Sequence, residues 1–537
     1  MKSTLLNLVF DLSDAFASLT ARATGVGPRA SFRSSRTAGI LGFVGCLAFA
    51  ASIPAIADDE WVTGELIVTL QPGVSVETIN DRYGTTTLDS YEPAQLYLLF
   101  YDGSEEVLEH ELDSDPDIRS ADLNLVQETP EGVRQLILIA VGGEYVDYVD
   151  QSVTERIGLD LAHAVSRGAG ITVAVVDGGV DPNHEALVGH LASDGWDFVD
   201  EDGDPTETAN GIDDDGDSLI DEGFGHGTMV AGIVALVAPE ATILPIRILD
   251  DEGRTTAFRV CKAIRYADDH GAKVINLSLG VPQRVDAIGF QLEEVGQSRA
   301  LAVAGAGNEN RSSPAYYPAA DERAIMVAAL DSMDVKAGFS DWGSKVELCA
   351  PGTGIRSAFP DGGWALGSGC SFATPFVSGA AALYLSAGLA QDAEQLREVV
   401  RSSVVDVSGI PGNAPYQGAL GTGRVYLPGA LSPAGSPGPG GSAPLVARIV
   451  PNPSRGDARF EILYGAPGER TASPMSLRIF DSTGRQVRSW SFATGSGAGS
   501  IAWDGRDDRG HPVPAGRYLA RISRGDRQVT VPVVRVR

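Results

Sequence analysis

Hydrophobic patterning divides the chain into distinct regimes. Between residues 151 and 430 apolar residues come in blocks, and Ile171-Thr-Val-Ala-Val-Val176 is a nearly continuous β-branched run. Such a run predicts a strand buried on both faces of a parallel sheet, because a half-exposed strand would alternate. Residues 227–235 and 372–383 are small and apolar throughout, which predicts tightly packed, buried helices. Together these blocks predict a doubly wound α/β domain with a mostly parallel sheet. Upstream the blocks are shorter and broken by turn residues. Strands fit residues 65–70, 96–101 and 122–127, with one more near 85–88. Helices fit residues 76–84, closed by a glycine, and 105–110. This β-α-β-β-α-β order predicts a small α+β domain over residues 60–128. A Gly-, Pro- and Ser-rich stretch at 431–444 reads as a flexible linker. Beyond it the pattern alternates, with short strands at 446–450, 458–463, 476–480, 486–490 and 517–522. That spacing predicts an all-β sandwich over residues 445–537.

Composition adds a compartment. Arg29, Arg33 and Arg36 precede an apolar run at residues 38–51 that leads to Ala55-Ile56-Ala57. A positive flank, a short apolar core and a small-residue end predict a secretory signal over residues 1–57, cleaved before Asp58. The run is too short for a membrane anchor, which takes about 20 apolar residues. Lipoprotein processing at Cys46 is the alternative, and Phe43 fits it poorly. Only four cysteines occur, Cys46 among them, so no disulfide framework is expected.

Charge adds partners and excludes one class. The formal net charge of −30 argues against nucleic-acid binding through phosphate contacts. Residues 445–537 nevertheless hold fifteen arginines, no lysine and eight acids, a sum of +7 that leaves −37 for the rest. Between Trp196 and Gly223 stand twelve acids and no Lys or Arg. Carboxylates this dense repel one another unless solvated or neutralised by a cation. Asp213, Asp215 and Asp217, with Asp221 and Glu222 behind them, have the alternate spacing of a hard-cation loop, and Ca²⁺ takes about six to eight oxygen ligands. The loop is not an EF-hand, since Gly216 and Phe224 fall at the wrong positions. A structural calcium ion and a merely solvated loop are the two readings.

Three reactive residues stand where the central apolar blocks begin or end. Asp177 closes the strand, while His226 and Ser371 open the two small-residue helices. A serine hydroxyl is a poor nucleophile until a base takes its proton, and an imidazole serves best when a buried carboxylate fixes its tautomer. A helix N-terminus at the nucleophile favours developing negative charge. Chain order separates unrelated solutions. α/β-Hydrolases run Ser, Asp, His; chymotrypsin-like enzymes run His, Asp, Ser; subtilisin-like enzymes run Asp, His, Ser. Ala373 also replaces the last glycine of a lipase-type Gly-x-Ser-x-Gly elbow.

With Val176-Asp177-Gly178, Gly225-His226-Gly227-Thr228 and Gly369-Cys370-Ser371-Phe372-Ala373-Thr374-Pro375, residues 151–427 resemble the subtilases. The resemblance implies a triad of Asp177, His226 and Ser371. It also implies that Asn308, in Leu301-Ala-Val-Ala-Gly-Ala-Gly-Asn308, completes an oxyanion hole with the Ser371 backbone N–H. Ser278, Leu279 and Gly280 would line an extended substrate backbone, and Ala306 and Gly307 would form the other wall of the primary specificity pocket. The chain departs from the family at Gly178, usually Thr or Ser, at Met229, usually His, and at Cys370, usually Thr. Cys370 reads either as a small buried filler or as a thiol that oxidants block. Tyr316 falls near the base of the pocket, where the family often has a small residue.

Residues 60–128 resemble the ferredoxin-like subtilase propeptide, which is expected to inhibit the site until cleavage within a processing linker at 129–150. A retained N-terminal domain is the alternative. Residues 445–537, with Asn452-Pro453, Phe480-Asp481, Trp503-Asp504-Gly505 and Pro514-Ala515-Gly516-Arg517-Tyr518, resemble the immunoglobulin-like domain of the flagellar hook-capping family. They are also similar to sorting domains of secreted bacterial enzymes. The expected protein is a secreted, monomeric serine endopeptidase acting on polypeptides. Its rivals are a surface binding or assembly protein on a subtilase scaffold, and an esterase or peptide ligase on the same fold. The basic C-terminal domain would tether the enzyme to an anionic cell envelope, unless its surface is simply solvated.

Overall fold

The computed structural model describes residues 61–128, 139–431 and 445–536, except 215, 217–218, 281–282, 298 and 313–315 in the central part and 451–453, 455–457, 465–474, 482–483, 493–496 and 525–526 in the last. The signal expected over residues 1–57, and the junctions at 129–138 and 432–444, lie outside the described residues.

The N-terminal domain runs β1 (Trp61–Leu70), α1 (Val76–Tyr83), β2 (Thr86–Tyr91), β3 (Leu96–Phe100), α2 (Glu105–Leu112) and β4 (Ile118–Glu128). β1 lies between β3 and β4, antiparallel to both. Gly84 stops α1 at φ 71°, a left-handed conformation that a side chain would strain. Alternation along β1 sorts its residues between two cores. Leu66 and Val68 pack with Ile79, Leu108 and Leu112 inside the domain, while Ile67 joins the core of the next one. Burial of both faces of β1 means that this domain is docked.

The central domain opens with β5 (Ile139–Val141) and α3 (Tyr145–Val149). Its main sheet follows through β6 (Thr172–Asp177), β7 (Trp196–Asp197), α4 (His226–Val237) and β8 (Thr242–Arg247). The chain continues through β9 (Arg254–Thr256), α5 (Ala257–Asp269), β10 (Val274–Leu277), α6 (Asp286–Gln297) and β11 (Leu301–Gly305). It ends through β12 (Ala324–Leu330), β13 (Leu348–Pro351), the hairpin β14 (Ile355–Phe359) and β15 (Gly363–Gly367), α7 (Cys370–Ser386), β16 (Val404–Val405) and β17 (Arg424–Val425). The nine-stranded order is β16-β17-β13-β12-β11-β10-β6-β8-β7, parallel from β17 to β7. β6, β10 and β11 are neighbours in register, so the segments after Val176, Leu277 and Ala304 emerge at one end of the sheet. Carboxyl ends of parallel strands are where open α/β sheets place their sites.

β5 pairs with β15, and the buried Tyr148 hydroxyl donates to the Gly232 carbonyl at 2.6 Å. Residues 139–149, counted above within the junction, are therefore built into the central domain. The N-terminal domain reaches the same body through β4, which pairs antiparallel with β9 from Val126↔Thr256 to Glu128↔Arg254. Asp122 accepts from the backbone N–H groups of Asp286 (2.6 Å) and Ala287 (2.9 Å), and Asn124 accepts from that of Phe258 (3.0 Å). One strand thus caps the N-termini of both α6 and α5, where backbone donors have no intrahelical partner.

The C-terminal strands are β18 (Leu445–Val450), β19 (Ala458–Tyr464), β20 (Met475–Phe480), β21 (Gln486–Phe492), β22 (Gly497–Trp503), β23 (Gly516–Arg524) and β24 (Arg527–Arg535). They form sheets of order β18-β19-β22 and β21-β20-β23-β24 over a core containing Trp503 and Tyr518, whose ring centroids are 5.6 Å apart. Two strands exceed the sequence expectation. β22 opens Gly497-Ala-Gly-Ser, poor strand formers held extended by pairing with β19. β24 contains Pro532, which a ladder tolerates because β24 is an edge strand.

Candidate active site

Asp177 is the last residue of β6 and is wholly buried. Its Oδ1 accepts from the Gly178 backbone at 2.8 Å and from His226 Nδ1 at 2.7 Å. His226 begins α4 and is equally enclosed. An imidazole whose Nδ1–H is held by a carboxylate carries its lone pair on Nε2. Ser371 lies in the first turn of α7. Its hydroxyl donates to the Ser278 carbonyl at 3.1 Å, and the Ser278 hydroxyl donates back to the Ser371 carbonyl at 2.9 Å. Asn276 and Ser378 extend this linkage between β10 and α7.

Asn308 follows β11, and its Oδ1 accepts from the Cys370 backbone at 2.8 Å. That bond orients the amide, making Nδ2 its donor end. The loop carrying Asn308 is fixed from behind by Asp341. The Asp341 N–H donates to the Gly307 carbonyl (2.9 Å), and its Oδ1 accepts from the N–H groups of Glu309 (3.1 Å) and Arg311 (2.6 Å). Burial pushes the Asp341 carboxyl up to about 6. Cys370 is buried, with Sγ 3.1 Å from the Gly307 carbonyl it donates to, which matches the filler reading and ties the same loop down. Leu279 and Ala306 are buried as well.

Glu207 is one of the twelve acids between Trp196 and Gly223, and its local sequence does not set it apart. It is buried, and its carboxylate accepts from the backbone N–H groups of Gly225 (2.9 Å), Gly227 (3.2 Å) and Thr228 (3.0 Å), and from the Thr228 hydroxyl. These are orphan donors at the start of α4, so a distant carboxylate caps the turn that presents His226. Burial pushes its carboxyl up to about 7, with the Asp177 charge acting in the same direction. Gly178 stands beside this carboxylate. A Cβ there would stand 3.1 Å from Glu207 Oε1, in space the carboxylate uses.

The rest of the acidic run is partly neutralised by cations from elsewhere in the chain. Arg247 of β8 binds Asp197 at 2.6 Å and Asp200 at 2.8 Å, and Lys262 of α5 binds Glu201 at 2.9 Å and Asp89 at 2.7 Å. A local window cannot see either partner. Of the residues expected to hold calcium, Asp215 and Asp217 lie outside the described residues. Asp213 accepts from Gly216 N at 2.6 Å, and Asp221 accepts from Asn210 N and Gly211 N, both at 2.9 Å. Asp213 and Asp221 thus serve as turn acceptors. Among the described residues no three His, Cys, Asp or Glu side chains converge on a point that could hold a metal ion.

A buried Asp–His pair and a helix-start serine on a mostly parallel α/β sheet are the arrangement of a serine hydrolase. Residues 168–423 match the subtilase family model, and residues 456–527 match that of the FlgD Ig-like domain. Thermitase of Thermoactinomyces vulgaris is 37% identical over 265 residues, 48% of this chain and 88% of that protein. Subtilisin E of Bacillus subtilis is 31% identical over 290 residues, 52% of this chain and 71% of that protein. A solved cold-adapted subtilisin-like serine proteinase is 32% identical, with a TM-score of 0.42 over 49% of this chain and 90% of that one. The chain belongs to the subtilase family and is a serine endopeptidase with a C-terminal immunoglobulin-like domain.

Proposed function

We propose that this protein is a secreted endopeptidase, made as a self-inhibited precursor, that cleaves peptide bonds through an acyl-enzyme on Ser371. The observation that carries the reading is the 2.7 Å hydrogen bond joining the buried Asp177 and His226, at the sheet end where Ser371 and Asn308 also stand. The Ser371 hydroxyl turns from the Ser278 carbonyl to His226 Nε2, gives up its proton there, and attacks the scissile carbonyl carbon. Asp177 holds Nδ1–H and stabilises the imidazolium that results. The carbonyl oxygen becomes an oxyanion that receives hydrogen bonds from Asn308 Nδ2 and the Ser371 backbone. As the intermediate collapses, the C–N bond breaks and Nε2 passes its proton to the leaving amine. Water then repeats the sequence on the acyl-enzyme and releases the acid. A fluorophosphonate probe that labels the wild type but not Ser371→Ala, alongside casein hydrolysis, tests this assignment.

Residues 60–128 are read as the inhibitor. Docking through β4, which pairs with β9 and caps α5 and α6, supports that role. Anchoring of Tyr148 favours a processing point before Ile139, and N-terminal sequencing of active enzyme checks it. Replacing Asp122 and Asn124 together by Ala removes two caps, each worth about 1 kcal/mol. The double variant is expected to gain activity sooner than the wild-type precursor in a time course of peptide hydrolysis. An unchanged lag would count against the docking role.

Calcium at Asp213–Glu222 rests on the acid spacing alone. Excess EDTA is then expected to lower the melting temperature and millimolar calcium to restore it, and coincident curves would remove the ion from the account. The C-terminal domain is proposed as an electrostatic tether. Screening shortens from about 10 Å at 0.1 M salt to about 3 Å at 1 M, so binding of the protein to anionic envelope fractions should fade over that range. Binding that is absent at low salt would dismiss the tether.

A further inference from the structure

β10 and β11 are adjacent and parallel, and the segments that follow them flank Ser371. Ser278 exchanges hydrogen bonds with Ser371 on one side, while Gly307 and Asn308 are bonded to Cys370 on the other. A slot would open between these two backbones. Tyr316 lies across it. A Cβ built on Gly280 would stand 3.1 Å from the Tyr316 Cδ1, and one on Gly307 would stand 3.0 Å from Cδ2. Opposite edges of a single ring therefore abut the two glycines, and any larger residue at either position would displace it. Tyr316 is 8% exposed, and Glu309, which is paired with Arg311, lies near its hydroxyl. Burial, with the Glu309 charge, raises the hydroxyl's pKa well above the ordinary phenol value, so it remains a neutral donor. The Asp341 that fixes the Asn308 loop also lies beside Gly307, 2.5 Å from its notional Cβ, so the wall behind the ring is held as well. Position 307 takes φ 106°, which favours glycine independently of the ring.

For a carbonyl carbon to reach Ser371 Oγ while its oxygen reaches Asn308, the residue supplying that carbonyl must lie against the Ser278–Gly280 segment. Its side chain then points into the space between Gly280 and Gly307. We propose that Tyr316 sets the substrate class by filling that space, so that the enzyme cuts after Gly, Ala or Ser and rejects Phe, Tyr and Leu at the same position. The inference rests on the peptidase chemistry assigned to Ser371. A close-fitting apolar pocket discriminates a single methylene by about 10- to 200-fold, and an aromatic ring exceeds Ala by far more than one.

The test uses the processed enzyme and peptide anilides that differ only in the residue before the scissile bond. The wild type is expected to favour Ala over Phe by at least tenfold in kcat/KM. Tyr316→Gly is expected to raise kcat/KM for the Phe peptide by about 10- to 100-fold and to reverse the order. Tyr316→Phe keeps the ring, so it should keep the wild-type order even where Tyr316→Gly fails to fold. A wild type that favours Phe overturns the proposal, as does a folded Tyr316→Gly, active by titration, with an unchanged Ala-to-Phe ratio. Absence of cleavage of every peptide by the wild type, together with no fluorophosphonate labelling, would instead remove the peptidase reading and this inference with it.

Discussion

Ser371→Ala is expected to lose essentially all peptide hydrolysis, a fall of about 10⁶ in kcat, and to accumulate as uncut precursor. The size is the one established on subtilisin, where triad members act as a unit, and it is carried over to this relative rather than computed from its distances. Ser371 opens α7 at the sheet end that carries the bonded Asp177–His226 pair, and its hydroxyl is the nucleophile proposed above. The Cys370 thiol is directed elsewhere, with Sγ 3.1 Å from the Gly307 carbonyl and 3.3 Å from the Ser340 hydroxyl. Retention of the precursor follows if the enzyme cuts its own junction between residues 129 and 138. Purification from a protease-deficient host, followed by mass spectrometry and casein hydrolysis, reads both effects at once. Wild-type turnover in that variant would overturn the nucleophile assignment, and normal processing would separate maturation from self-cleavage.

Asn308→Ala is expected to leave KM near the wild-type value and lower kcat by about 10²–10³-fold, again a magnitude taken from subtilisin. A donor that meets only the developing oxyanion contributes to the transition state and not to ground-state binding. Because Asn308 Oδ1 also holds the Cys370 N–H, truncation removes a structural bond together with the donor. Asn308→Asp separates the two, since it keeps an accepting oxygen and loses the N–H. It should therefore be at least as slow as Asn308→Ala while melting closer to the wild type. A rise in KM with kcat preserved in either variant would place Asn308 in substrate binding instead.

Much of this site was legible because its residues sit where hydrophobic blocks change character. The β-branched run to Val176 had to be a buried strand, so Asp177 had to stand at its end. The small-residue runs after His226 and Ser371 had to be buried helices. What escaped is what tertiary contact decides. Glu207 belongs to a run of like charges whose composition reads as solvated or metal-bound, yet it is folded inward onto α4. Arg247 and Lys262, which neutralise others of that run, come from later elements that place them there. Strand β24 contains Pro532, a residue that argues against a central strand and is tolerated at the sheet edge where β24 lies. Residues 139–149 read as a junction because a short apolar run has no periodicity, whereas pairing of β5 with β15 incorporates them.

The fit of Glu207 against Gly178 also couples residue 178 to the turn that presents His226. The carboxylate is held by bonds to Gly225, Gly227 and Thr228, and a Cβ at residue 178, 3.1 Å from Oε1, would have to push it a few tenths of an ångström against them. The serine or threonine usual in the family after Asp177 would therefore compete with Glu207 for the same space. Losing Glu207 would strip the His226 turn of its acceptor. Consensus engineering that changes residue 178 by itself would therefore press on the carboxylate that caps the His226 turn.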